Sequence, residues 1–322
     1  MKKPNIFYPI VLCFTSFICS FLPAKMAVKT DKKLILHFDV NRTILADDPA
    51  GGKTYKDTLY HSLADTYKDI WREDLKEPIS YSAYVREYLL PGKNSDQELK
   101  KLRTEKISNF IEYLRINNHH FYEKVKEEFE LMNHKLSGNK SLIFDSFYKL
   151  IDYLKLKNID FSIALRTFGH DLERVMKEIN TVLGKKCFES SAKFEQGILH
   201  VQNTDELHSA DQIYNFIKSN KCLGIQDNWK EWSLNNQYQE YGKAFYIDSN
   251  DDQTISIFFD DNIIEDPQSL KNIVNPVDVK TGLSLNVANL IQSKNLVVVD
   301  TIQAILDDQY FINKIKPLIK AA

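Results

Sequence analysis

The sequence predicts an α/β protein: a Rossmann-like, mostly parallel sheet with a helical segment inserted after its first strand. Three observations carry this expectation. Apolar runs at 34–40, 159–165 and 255–259 have the length and composition of buried strands. Stretches with helical spacing of apolar residues lie between later runs, at 142–157 and 171–183. Strands alternating with helices in this way favour parallel pairing.

Taken in order, the chain opens with Lys2 and Lys3 before an apolar run from Ile6 to Leu22. A basic start followed by an apolar stretch reads as a removable export signal over 1–26, or as an uncleaved membrane anchor. Translation from Met26 is the third reading, and it makes the chain cytoplasmic. An exported product would be periplasmic or secreted, touching membrane only through an uncleaved anchor.

The run 34–40 follows, a buried strand ending at Asp39. Residues 55–138 are charged and Tyr-rich, with Ile107, Phe110, Ile111 and Leu114, then Phe121, Val125, Phe129 and Met132 at helical spacing. This is a helical insertion whose aromatics read as core, with a turn at Pro91-Gly92. Helix 142–157 places Ile143, Phe147, Leu150, Ile151 and Leu154 on one face. The next strand ends in Arg166-Thr167. A helix over 171–183 has Asp171 suited to its N-cap. A hairpin is expected over 194–201, a helix over 211–218, and strands over 244–247, 255–259, 277–279 and 297–299. Asp251-Asp252 reads as a hairpin turn. The expected division is a core of 33–54 and 140–322 around an insertion of 55–139.

Composition excludes several classes. Lysine plus arginine is 42 against 44 acidic residues, a net charge of −2 without a basic stripe, so nucleic acid is not an expected partner. Ten glycines leave no collagen-like or Gly-rich architecture, and four cysteines are too few for a disulfide scaffold. Cys187 and Cys222 read equally as free buried thiols or as a pair formed in an oxidising compartment.

Chemistry in open α/β sheets collects at the carboxyl ends of strands. Three strand ends here carry Asp39, Thr167 and Asp260-Asp261. Carboxylates brought that close repel unless a cation lies between them. Hard oxygen donors suit Mg²⁺, which commonly shares a phosphate. Such a set serves phosphoryl transfer, and a strand-end Asp can itself attack phosphorus.

The order Phe38-Asp39-Val40-Asn41-Arg42-Thr43, then Ile163-Ala164-Leu165-Arg166-Thr167, then a lysine, then Phe258-Phe259-Asp260-Asp261 resembles the haloacid dehalogenase-like (HAD) hydrolase superfamily. The resemblance covers about 33–46 and 140–300. It implies Asp39 as nucleophile, and Mg²⁺ held by Asp39, the backbone carbonyl of Asn41, Asp260 and Asp261. It implies Thr167 and a lysine, Lys243 or alternatively Lys230, on the phosphate; Lys185 and Lys186 fall too early. Thr43, Arg166 and Lys53 are further phosphate candidates. Arg42 also stands beside a motif residue. The insertion 55–139 stands where that superfamily places a helical cap.

One position departs from the pattern. Most phosphatases of the superfamily carry a second aspartate two residues after the nucleophile; here it is Asn41. An amide donates a hydrogen bond but transfers no proton at neutral pH. The implied function is a Mg²⁺-dependent phosphatase acting on a small phosphorylated molecule. The alternative is a catalytically weak or inactive binding or regulatory protein on the same fold, including a secreted effector that meets a protein partner through its insertion.

Other features read more plainly. Gly52-Lys53-Thr54 matches the tail of a P-loop, but the glycine needed five places earlier is Asp47. His37 reads as a packed histidine or a proton relay. His119-His120, with His134, reads as a surface group without an acidic partner at ligand spacing. Trp229 and Trp232, near Asp227, read as loop anchors or as the wall of an organic pocket.

Overall fold

The computed structural model describes residues 32–48, 52–93, 96–138, 141–202 and 206–320. The expected signal or anchor, with Cys13 and Cys19, lies outside them. Strand β1 (Lys33–Asp39) leads to α1 (Tyr55–Thr66), then a small antiparallel ladder of β2 (Lys68–Asp69) and β3 (Ile79–Ser80). Next come α2 (Tyr81–Tyr84), a π-helical turn at Val85–Leu89, α3 (Gln97–Ser108), α4 (Phe110–Ile116) and α5 (Tyr122–Ser137). The chain continues through α6 (Asp145–Leu156), β4 (Phe161–Thr167), α7 (Leu172–Val182), β5 (Ser190–Glu195), β6 (Ile198–Val201) and β7 (Glu206–Leu207). It ends with α8 (Ala210–Ser219), β8 (Cys222–Gln226), α9 (Trp229–Leu234), β9 (Lys243–Ile247), β10 (Thr254–Asp260), β11 (Val274–Asp278), α10 (Val287–Gln292), β12 (Leu296–Val298), α11 (Thr301–Leu306) and α12 (Tyr310–Lys320).

The main sheet has eight strands in the order β12-β10-β1-β4-β8-β5-β6-β7. Pairing is parallel from β12 to β5 and antiparallel from β5 to β7. Strand β1 is buried on both faces, which is why its sequence is a continuous apolar run rather than an alternation. From β1 the chain builds outward through β4 on one side and returns through β10 on the other. The strand order therefore reverses beside β1, where crevices form in open sheets.

Helix α6 buries the predicted apolar face, Phe147, Leu150, Ile151 and Leu154. The expected hairpin at 194–201 is β5–β6, turning at Gln196 and Gly197 with φ of 50° and 79°. Two consecutive positive φ values match the right-handed twist of the flanking strands. Strand β8 has no counterpart in the sequence reading, although it is central. Its middle residue, Gly224, lies so close to α7 that a Cβ there would sit 2.4 Å from Met176 Sδ. The missing side chain lets α7 pack onto the sheet.

Asp251-Asp252 is a correction. It does not join a hairpin: β9 pairs with β11 in a separate two-stranded sheet, whereas β10 pairs with β1. The turn hands the chain from one sheet to the other. Cys187 and Cys222 are joined by a disulfide, with Cα atoms 5.6 Å apart. It ties the loop after α7 to the start of β8.

Helices α1 to α5 do not form an isolated bundle. Buried Leu59, Leu63, Val125 and Met132 belong to the same continuous core as Phe38, Phe147 and Phe311. Helix α1 starts from a capping box between Thr54 and Asp57, which fixes where the chain enters this segment. Among the described residues no helix is long and apolar enough to cross a membrane.

Candidate active site

Register places the strand ends together. Phe38 pairs with Phe259 of β10, and Asp39 pairs with Arg166 of β4. Carboxylate oxygens of Asp39, Asp260 and Asp261 lie within 4.8 Å of one another. Lys243, at the start of β9, reaches this group from the second sheet. Its ammonium donates to Asp39 Oδ1 at 2.5 Å and to Asp260 Oδ2 at 2.8 Å. Lys243 is 1% exposed and Asp260 fully buried. Lys230 is exposed on α9 and is not part of this cluster.

The electrostatics follow from burial. Burial raises the Asp39 carboxyl well above its ordinary range; Lys243 opposes this, while Asp260 and Asp261 add to it. Burial raises Asp261 to about 6, against the pull of Arg42 and with the push of Asp260. Burial disfavours the charge of Lys243, but Asp260 and Asp39 outweigh it and raise its pKa. Three carboxylates face two cations, Lys243 and Arg42, whose Nε lies 3.3 Å from Asp261 Oδ2. That oxygen of Asp261 is buried and accepts no hydrogen bond. An oxygen donor set with one excess negative charge and an unsatisfied buried carboxylate oxygen fits a hard divalent cation.

The turn after β1 shapes the rest. Val40 N donates to Arg166 O, and Ile44 N and Leu45 N both donate to Val40 O. Arg42 takes φ of 65°, a left-handed conformation unusual for a side chain of its size. Thr301 Oγ1 donates to Arg42 O at 2.7 Å and braces the turn. The Asn41 amide donates to Asp47 O at 3.0 Å and to Asp171 Oδ2 at 3.2 Å. Its carbonyl oxygen lies 3.4 Å from the Thr167 hydroxyl. Asp171 occupies the N-cap position of α7, but its side chain makes no cap bond. It turns to Asn41 instead, and its other oxygen, Oδ1, is buried without a partner.

Two phosphate candidates need correction. The fully buried Arg166 spends its guanidinium on Asp227, on Ala244 O at 2.8 Å and on His37 Nδ1 at 3.3 Å. Its donors therefore point into the protein, and the isolated motif could not disclose Asp227 as a partner. Thr43 is also fully buried; its hydroxyl accepts from Asp261 N at 3.2 Å and positions that residue. His37 is packed: it stacks on Phe258 at 5.4 Å and meets Phe245 edge-on at 5.1 Å. Burial, then Arg166, holds its pKa well below the usual value.

Further groups border the site, of which sequence spacing did not reveal Asp65 and His61. Asp65 on α1 receives Arg42 at 2.9 Å and lies 3.8 Å from Arg86. Lys53 lies 3.8 Å from Asp48. His61, 3% exposed, has neither ring nitrogen hydrogen-bonded. Burial, then Lys53 and Arg42, lowers its pKa to about 3. Phe168, just past Thr167, stacks on Trp232 at 5.4 Å and meets the half-exposed Trp229 at 5.5 Å. A cleft of 440 Å³, lined by Gly169, His170, Lys193, His200 and Gln226 among others, opens at the ends of β4, β5 and β8. Gly169 N donates to Thr167 Oγ1, so the cleft adjoins the site.

No family model, curated protein or solved structure matches this chain.

Proposed function

We propose that the chain is a Mg²⁺-dependent phosphatase of the HAD-like kind, with Asp39 as nucleophile and α1–α5 as the cap that walls its site. The observation that carries this reading is the single ammonium of Lys243 held between Asp39 and Asp260 beside Asp261. The residues that would hold Mg²⁺ are Asp39, Asp260, Asp261 and the backbone carbonyl of Asn41. Bound there, the ion neutralises carboxylate and phosphate charge and so lets the two anions approach.

The chain's own groups account for the remaining steps. Lys243 opposes the protonation that burial favours at Asp39. An Asp39 oxygen attacks phosphorus, the bond from phosphorus to the leaving oxygen breaks, and an aspartyl-phosphate forms. Water then attacks that phosphorus, the bond from phosphorus to Asp39 breaks and restores the carboxylate, and phosphate departs with the water's oxygen, the protons passing to phosphate and solvent. Thr167 supplies a hydroxyl, and Lys53 and Arg42 a positive border, to the incoming phosphate. The leaving oxygen gains no proton from Asn41. The reading therefore favours aryl or acyl phosphates, whose leaving groups depart as anions, with Trp229 and the cleft near Thr167 for the organic part.

A specific observation favours a second reading. The Asn41 amide is held by Asp47, Asp171 and Thr167, which suits ligand binding with little turnover. Hydrolysis of an aryl phosphate, with and without Mg²⁺, beside Asp39→Asn decides between them. Mg²⁺-dependent turnover abolished in the variant supports the phosphatase. Mg²⁺ and phosphate binding without turnover supports the binding protein. The Cys187–Cys222 disulfide favours an oxidising compartment, and so an exported chain.

A further inference from the structure

Apart from the carboxylate cluster, the helical segment brings together two groups that sequence spacing kept apart. Asp69 of β2 lies between His119 and His120, in the turn from α4 to α5. His119 Nε2 is 3.2 Å and His120 Nε2 is 3.4 Å from the same oxygen, Asp69 Oδ2. All three donor atoms lie within 4.8 Å of one another. We propose that Asp69, His119 and His120 form a binding site for a divalent transition metal, Zn²⁺ first, that clips the β2–β3 ladder to the α4–α5 turn.

Distances and chemistry agree. Zinc takes imidazole nitrogen and carboxylate oxygen at about 2.0–2.2 Å in a tetrahedron. Donors at such bond lengths stand roughly 3.4 Å apart along a tetrahedral edge. The two nitrogen–oxygen separations already have that size. Two imidazoles and one carboxylate suit borderline metals rather than Mg²⁺ or Ca²⁺, which prefer all-oxygen shells. Water would complete the fourth position. The side chains of His119, His120 and Asp69 are 17%, 66% and 27% exposed, so an ion can enter from solvent.

The donors are also held in place. Trp71 stacks on His119 at 4.9 Å, and His119 stacks on His120 at 4.5 Å. Trp71 is itself pinned by its indole N–H on Ile79 O at 2.7 Å. Asp69 Oδ1 is occupied by Ile70 N at 2.7 Å, leaving Oδ2 for the histidines. Two things oppose binding: the Nε2 contacts of both histidines with Asp69 Oδ2 must open and Nε2 lose its proton to admit the ion, and Phe121 N donates to His119 Nδ1 at 3.3 Å. Coordination through Nε2 places a proton on Nδ1 and gives up this long hydrogen bond, against three new bonds to a cation.

The test is a titration of the full, tag-free chain with Zn²⁺ and with Co²⁺, in excess Mg²⁺ to occupy the carboxylate site. One Zn²⁺ per chain is expected, and the visible absorption of Co²⁺ in a low-coordinate nitrogen–oxygen site. Asp39→Asn leaves both unchanged, which separates this site from the proposed active site. His120→Ala, at an exposed side chain, and Asp69→Asn each weaken binding by more than about a hundredfold, the scale that loss of even an outer partner can reach. No binding by the unaltered chain, or binding that survives His120→Ala, overturns the proposal and leaves a hydrogen-bonded cluster.

Discussion

Asp171 Oδ2 lies 3.2 Å from Asn41 Nδ2, although Asp171 stands where it could cap its own helix. The amide of Asn41 thus separates Asp171 from the Asp39 turn without adding charge. Replacing Asn41 with Asp sets two carboxylates side by side, and one then retains a proton well above the usual range. A retained proton is what an acid catalyst of the phosphatase reading needs. Asn41→Asp is expected to raise turnover of alkyl phosphates by roughly 10²-fold and of aryl phosphates far less, since general acid catalysis contributes about 10²–10⁴ where the leaving group needs it. Equal gains on both substrate types would show that proton donation is not what Asn41 lacks.

Lys243 is the only cation within hydrogen-bonding distance of both Asp39 and Asp260 among the described residues. Lys243→Met keeps the length of the side chain but leaves two buried carboxylates facing each other. Removing one partner of a buried ion pair costs about 3–5 kcal/mol. The variant should unfold at clearly lower urea concentration, and Mg²⁺ should restore part of the loss. A midpoint within error of the unaltered protein would mean that Lys243 does not hold the cluster together.

The strand ends were legible because the relevant signals are local. A continuous apolar run followed by Asp, as at 34–39, announces both a buried strand and its exit, and register then brings Asp39, Thr167 and Asp260 together. Partners chosen by packing were not legible. Asp227 lies 61 residues from Arg166, and Asp69 lies 50 residues before His119, so no motif links them. Strand β8 is not legible because Gly224 and the polar Gln226 leave too short an apolar pattern, while its need for Gly is set by Met176 across the layer. Asp171 had the right position for a cap, and only the fold reveals that Asn41 is its stronger partner.

Asp261 gives a pH dependence of stability. Its folded-state pKa of about 6 exceeds its ordinary value of 3.8. The unfolded chain therefore ionises first, and the folded form loses stability as pH rises from about 4 to about 6, then levels. Asp39, raised by the same burial, acts in the same sense. A difference of that size corresponds to at most about 3 kcal/mol. Without divalent cations, Asp261→Asn should match the unaltered protein near pH 4 and gain on it up to pH 6. Urea midpoints across that range measure the gap, and one that closes with rising pH has the wrong sign for this account.

Cys187 and Cys222 close a loop across 35 residues of sequence. Cross-linking a loop of that size restricts the unfolded chain by about 4 kcal/mol in the entropic description. The bond also anchors the segment that follows α7 at the amino end of β8, the opposite end of that strand from Gln226 and the cleft next to Thr167. Cys187→Ser with Cys222→Ser is expected to lower unfolding free energy by about 2–4 kcal/mol. Because Asp39 and Asp260 end β1 and β10, which lie on the other side of β4 from β8, their geometry should survive. Mg²⁺ affinity of the folded double variant is therefore expected within about twofold of the original, a bound drawn from near-additivity of distant sites. A tenfold loss would show that the disulfide positions the carboxylate site as well as stabilising the fold.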